Sequence, residues 1–243
     1  MSSPVLQAID LSVSYGDTRA LSDTTFSLSS GELVAVVGPN GAGKSTMFKA
    51  LAGFVDHEGD VIVHGHTCHH HERQAIAYIP QQSDVDLRFP ITVTEVVMAG
   101  RRRFHGARMS PTAQDAATVN ACLAQVDLAD MGNRSLSTLS GGQVQRVMLA
   151  RAIAQEADVL LLDEALSGVD TAHTDELIAL FQQLQARGTS ILVSTHDLAL
   201  VRSQFTRCLA VNGSLRGDGS PAVELTGQKL EVLFSHAPHE GHL

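Results

Sequence analysis

The sequence predicts an α/β fold in which helices cover a parallel or mixed sheet, and three observations carry that prediction. Short apolar runs alternate with helical stretches over most of the chain. Leu33-Val-Ala-Val-Val37, Val159-Leu-Leu-Leu162 and Ile191-Leu-Val193 are continuous apolar runs of strand length, lacking the polar alternation of a strand with one wet face. The first of them ends in a glycine-rich loop that opens onto helix-forming residues.

Taken in order, Leu33 to Val37 is the first buried strand and Lys44 to Ala52 the helix after the loop. The stretch from about 90 to 155 is helical and reads as a subdomain inserted into the α/β core. Within it, Thr92-Val-Thr-Glu95 has capping-box spacing, in which a hydroxyl and a carboxylate satisfy free amides at a helix start. Val159 to Leu162 is a second buried strand. Asp175 to Leu184 is an amphipathic helix with Leu177, Leu180, Phe181 and Leu184 on one face, and Gly188 stops it before the strand Ile191 to Val193. No internal repeat, heptad run or Pro/Ser-rich linker interrupts the pattern, so residues 1–243 read as a single domain, with a short histidine-containing tail over about 220–243.

With 44% hydrophobic and 18% charged residues, the 243-residue chain can bury a sizeable core, which argues against disorder and against a disulfide-stapled mini-fold. Three widely spaced cysteines, Cys68, Cys122 and Cys208, point to free thiols in a reducing compartment. The longest apolar runs fall far short of the roughly 18 to 20 residues of a spanning helix, and the N-terminal residues carry no export signal. Lys+Arg 17 against Asp+Glu 26 gives a net charge of -9, which disfavours nucleic acid as a partner. The one basic cluster, Arg101-Arg102-Arg103 with Arg108 nearby, reads as a solvated helix end.

The loop after the first strand, Gly38-Pro39-Asn40-Gly41-Ala42-Gly43-Lys44-Ser45 followed by Thr46, has the spacing of a phosphate loop between strand and helix. Glycines let successive amides wrap phosphates, and the helix N-terminus adds its positive end. Lys44 supplies a point charge to the outer phosphates, and the Ser45 hydroxyl suits Mg²⁺. Val159 to Leu162 runs into Asp163-Glu164, two acids at the carboxyl end of a strand, where open α/β sheets bind ligands. Neighbouring strand residues face opposite ways, so Asp163 is the candidate to hold Mg²⁺ through a water and Glu164 the candidate general base. Ile191 to Val193 leads to Ser194-Thr195-His196-Asp197, which places His196 within reach of the outermost phosphate. Leu139-Ser140-Gly141-Gly142-Gln143 opens another helix and is a second phosphate-binding device. One nucleotide does not need two glycine cradles, so a head-to-tail dimer is expected, each nucleotide lying between the lysine loop of one chain and the serine-glycine loop of the other.

These segments, Gly38 to Thr46, Leu139 to Gln143, Leu162-Asp163-Glu164 and Ser194 to Asp197 in that order, resemble the ATP-binding subunit of ABC transporters over roughly residues 4 to 212. The resemblance implies an ATPase core of mixed sheet and flanking helices, with an antiparallel β subdomain besides the helical one. It implies ATP and Mg²⁺ as cofactors, with Ser45, Gln81 and Asp163 around the ion. It also implies Tyr15 stacking on adenine, Gln81 sensing Mg²⁺ and the membrane partner, and Asp170 as the D-loop acid. Gln82 competes with Gln81 for the same role; the frame Tyr78-Ile-Pro-Gln81 matches the family. The implied assembly is a homodimer on the cytoplasmic face of the membrane, bound to an integral permease and served by an extracytoplasmic solute-binding protein.

Ala77-Tyr-Ile-Pro-Gln-Gln, Phe89-Pro-Ile-Thr-Val-Thr-Glu-Val-Val97, Gly100-Arg101 and Leu166-Ser-Gly-Val-Asp170 are similar to the manganese/zinc/iron importer branch. Siderophore, haem and cobalamin importers share part of this pattern and are the alternative. The chain departs from the branch at Ala165-Leu166, where Pro and an aromatic are usual, and at Val144, where a polar residue is usual. His57, His64, His66, His69, His70 and His71, with Cys68, form a histidine-rich stretch, and His236, His239 and His242 lie near the end. No two-plus-two ligand spacing stands out, so the first cluster reads as a solvated loop, with binding of the transported metal as the alternative.

Overall fold

In the computed structural model, residues 3–67, 72–104, 110–166 and 171–235 are described. A hairpin of β1 (Leu6–Tyr15) and β2 (Thr18–Leu28) opens the chain, turning at Gly16, which takes a left-handed φ of 59°. β3 (Leu33–Val37) and α1 (Lys44–Leu51) flank the phosphate loop, and β4 (Glu58–Val63), β5 (His66–Thr67) and β6 (Ile76–Ile79) follow. The helical stretch contains α2 (Val93–Ala99), α3 (Ala113–Gln125) and α4 (Gly141–Ala154). The chain then alternates through β7 (Val159–Leu162), α5 (Thr171–Ala186), β8 (Ser190–Ser194), α6 (Leu198–Gln204), β9 (Arg207–Val211) and β10 (Leu215–Gly219). Two short helices, α7 (Pro221–Glu224) and α8 (Gly227–Phe234), complete the described chain.

Two sheets result. One is antiparallel in the order β2-β1-β4-β5; the other has the order β10-β9-β3-β8-β7-β6, parallel except for its edge strand β10. The period of two explains why the central strands are apolar throughout. Leu33, Ala35, Val37, Leu160, Leu162, Ile191 and Val193 face one core, which they share with α5 and the helical stretch. Val34, Val36, Val159, Leu161 and Leu192 face the other, which they share with Met47, Phe48 and Leu51 of α1 and with the antiparallel sheet. The apolar stripe Leu177, Leu180, Phe181 and Leu184 is buried on the first face, and Gly188 adopts a left-handed φ of 95° just beyond α5.

Capping is local chemistry, and it follows the sequence. Thr92 and Glu95 form the expected box at α2, Thr112 and Asp115 form another at α3, and Ser140 and Gln143 a third at α4. Val144, Ala165 and Leu166, the positions that depart from the family pattern, are all buried in the larger core.

Arg101 corrects an expectation. Instead of lying on a solvated helix end, its guanidinium is buried, donating to Asp115 at 3.0 Å, to Glu156 at 2.6 Å and to the Ala154 carbonyl at 2.9 Å. It also lies 3.9 Å over the centre of the Phe104 ring. Arg102 is exposed; the Arg103 side chain and Arg108 lie outside what is described. Cys68, His69, His70, His71, His236, His239 and His242 also lie outside them, and among the described residues no three His, Cys, Asp or Glu side chains group as metal ligands. No described helix is long and apolar enough to cross a membrane.

Candidate active site

Strand register brings the motifs to one edge. Ile79 pairs with Leu162, Leu162 with Val193, and Val36 with Ser194, so β6, β7, β8 and β3 finish side by side. The residues just beyond those ends are Gln81, Asp163 with Glu164, His196 and Gly38, at the carboxyl edge where parallel sheets place ligands.

The phosphate loop fits tightly into this edge. Gly43 has a φ of 93°, and a Cβ there would stand 2.6 Å from the Ala20 carbonyl oxygen. At Gly38 a Cβ would run into the Val211 carbonyl, so a side chain at either position would push the loop off its neighbours. Lys44 is buried, and its ammonium donates to the carbonyls of Gly38 at 2.8 Å and Pro39 at 2.9 Å, leaving one N–H of the three for a ligand. Burial lowers the Lys44 pKa, while the charges of Glu164 and Asp163 act in the opposite sense and favour the ammonium. Asn40, Gly41, Ala42, Gly43, Lys44, Ser45 and Thr46, with Ala20, Gln81 and Glu164, line a cleft of about 410 Å³.

The two acids have different settings, as their alternation requires. Glu164 is half-buried and lines the cleft; Asp163 is buried beneath it. Ser194 Oγ donates to Asp163 Oδ1 at 2.6 Å, and the Tyr78 hydroxyl donates to Asp163 Oδ2 at 3.2 Å. Burial, with the adjoining Asp163 carboxylate, raises the Tyr78 pKa far above its ordinary value, so the phenol remains a donor. Glu164 takes a left-handed φ of 51°, a conformation that costs a non-glycine residue about 1–2 kcal/mol, and its amide donates to Ser194 Oγ at 2.8 Å.

Other predicted residues stand apart from this cleft. Tyr15 is exposed at the β1–β2 turn and does not line it, although Ala20 of the same hairpin does. His196 is exposed beyond β8 and is likewise not a lining residue. Asp197 caps α6 by accepting the amides of Ala199 and Leu200. Ser140, Gly141, Gly142 and Gln143 form the N-terminus of α4 outside the cleft, with Ser140 and Gly142 exposed. Asp170 lies outside the described residues. Gln81 is among the lining residues. Sequence reasoning gave no role to Tyr78 or Ser194. The available signal was a polar side chain within or at the end of a wholly apolar strand, because a buried polar group requires a partner.

A profile of the ABC transporter family matches residues 21–167. A manganese transport system ATP-binding protein of Synechocystis sp. is 38% identical over 231 residues, covering 94% of this chain and 89% of the relative. A zinc transport system ATP-binding protein of Treponema pallidum is 37% identical over 230 residues, covering 94% and 86%. An inward-facing metal-chelate type ABC transporter superposes with a TM-score of 0.82 at 27% identity, covering 95% of this chain and 89% of that one. The phosphate loop, the acid pair and the serine-glycine helix start thus occur in a matching fold and sequence, and the chain belongs to the ABC transporter family as one of its ATP-binding ATPase subunits.

Proposed function

We propose that the chain is the motor of an importer for divalent metal ions of the manganese/zinc/iron class, acting as a homodimer on the cytoplasmic face of a membrane permease. The observation that carries the mechanism is the convergence of Lys44, Gln81 and Glu164 on one cleft whose wall is the phosphate loop. The amides from Asn40 to Thr46 and the Lys44 ammonium suit the phosphates of ATP, and Tyr15 on the adjoining hairpin suits adenine stacking. Ser45, Gln81 and Asp163 would hold Mg²⁺, which when bound neutralises charge on the outer phosphates. Glu164 accepts the proton of the attacking water, and His196 approaches the outermost phosphate from the neighbouring strand end. Ser140 to Gln143 of a second copy, with its Asp170, close the other side, because the same segment within one chain stands outside the cleft. Gln81 carries the state of the site to the permease, and an extracytoplasmic solute-binding protein delivers the cargo.

The metal class follows the named manganese and zinc relatives at 38% and 37% identity. The 27% likeness to a metal-chelate type transporter favours a second reading, import of a siderophore, haem or cobalamin chelate. Purified chain, permease and binding protein in lipid vesicles distinguish them. Binding protein loaded with Mn²⁺, Zn²⁺ or Fe²⁺ should raise ATP turnover several-fold; stimulation by a chelate alone replaces the first reading with the second, and stimulation by neither overturns both.

A further inference from the structure

We propose that Ser194 and Tyr78 are positioning residues for hydrolysis, fixing the Asp163 carboxylate and the Glu164 backbone relative to each other. The inference rests on the roles given above to Asp163 and Glu164. Ser194 is the last residue of β8 and is fully buried. Its single hydroxyl does two things at once: it donates to Asp163 Oδ1 at 2.6 Å and accepts the Glu164 amide at 2.8 Å. A short bond to a carboxylate is of the stronger, charge-assisted kind. The second oxygen of Asp163 accepts from Tyr78 of β6 at 3.2 Å. Three adjacent strands therefore supply a chain running Tyr78, Asp163, Ser194, Glu164 amide, with β6 and β8 giving one group each and the end of β7 giving two.

With both oxygens held, the Asp163 carboxylate has one rotational setting, and its remaining lone pairs point in fixed directions. The Glu164 amide has a partner in the left-handed conformation that turns its side chain to the cleft. A displacement of about 1 Å at such a point can cost about a hundredfold in rate, so the hydroxyl governs turnover more than nucleotide affinity, which the loop and Lys44 supply. The opposite end of the same strand provides a comparator. Ser190 is equally buried and its hydroxyl likewise bridges two groups, both of them backbone, donating to Ser29 O at 3.0 Å and accepting from Gly31 N–H at 3.0 Å, away from the cleft.

The test measures kcat, KM for MgATP, the Mg²⁺ concentration at half-maximal rate and Mg²⁺-free ATP binding, using the full chain with its permease in vesicles. Ser194→Ala should lower kcat about 10- to 100-fold with KM changed less than about threefold, whereas Ser190→Ala should leave kcat within about twofold. Ser194→Thr, which keeps the hydroxyl, should recover most of the loss. Tyr78→Phe keeps the ring and should raise the half-maximal Mg²⁺ concentration about three- to tenfold, which tests the chain of bonds even if the added methyl of the Thr variant prevents folding. Equal kcat in Ser194→Ala and Ser190→Ala, or an unchanged Mg²⁺ requirement in Tyr78→Phe, overturns the proposal. Asp163→Asn and Glu164→Gln separate it from the reading beneath it. If they turn over like the parent, the assignment of those acids fails; if they are inactive while Ser194→Ala is not impaired, only the positioning role fails.

Discussion

Lys44 and Glu164 line the same cleft with opposite charges, and replacing either changes both the chemistry and the field in which it occurs. Glu164→Gln removes the proposed base and leaves the loop and Lys44 in place. Phosphate release should fall at least about a hundredfold while ATP-dependent dimers persist in size-exclusion chromatography; turnover within a few-fold of the parent rejects the base assignment. The cysteines Cys122 and Cys208 are at the inert extreme. Burial pushes both thiols up to about 11, so at pH 8 only about one in a thousand is thiolate. Mass spectrometry after iodoacetamide at pH 8 should find both unmodified in the folded protein and modified in urea, with labelling of the folded form rising as pH approaches their pKa. At this scale the sequence was readable where chemistry is contiguous, as in the phosphate loop and the Tyr78-Ile-Pro-Gln81 frame. The Ser194 and Tyr78 bonds to Asp163 join residues 31 and 85 positions apart, which no local spacing reveals.

Arg101 shows the same limit among elements. Three consecutive arginines resemble a solvated run, but the partners that bury the first lie 14 and 55 positions away, in α3 and just after α4. Its removal takes a buried guanidinium away from the Asp115 carboxylate, of whose side chain 3% is exposed, and from the Ala154 carbonyl. Arg101→Ala should therefore cost about 3–5 kcal/mol in urea unfolding, whereas exposed Arg102→Ala should stay within about 0.5 kcal/mol. Equal effects would show that the buried pairing holds nothing together. Of the parallel strands, β3, β7 and β8 were legible because uninterrupted apolar runs of three to five residues leave few alternatives. β1 and β2 were not, because irregular register and left-handed turns at Asp10 and Asp23 break the alternation that announces a strand. The antiparallel sheet came only from family resemblance.

For the whole molecule, the exposed start of α4 at Ser140 stands outside the cleft that holds Lys44, and in the proposed assembly a second copy brings that segment to it. Ser140→Arg should leave ATP affinity of the isolated chain within about threefold and abolish ATP-dependent dimers in light scattering, along with hydrolysis; dimers that still form would refute the shared pocket. The order β10-β9-β3-β8-β7-β6 was not legible in advance, since strands distant in sequence become neighbours only through the crossovers between them. One of those neighbours, β9, carries no chemical motif, yet the Val211 carbonyl limits the space at Gly38 and the Gly213 amide donates to the Ala42 carbonyl at 3.0 Å. Asn212 between them donates to the Leu233 carbonyl of α8 at 2.8 Å. A shortened protein ending soon after His196 would retain Lys44, the acid pair and the serine-glycine turn, but its phosphate grip would have lost its backstop. Any attempt to trim this scaffold to a minimal nucleotide binder must keep the chain through Leu233.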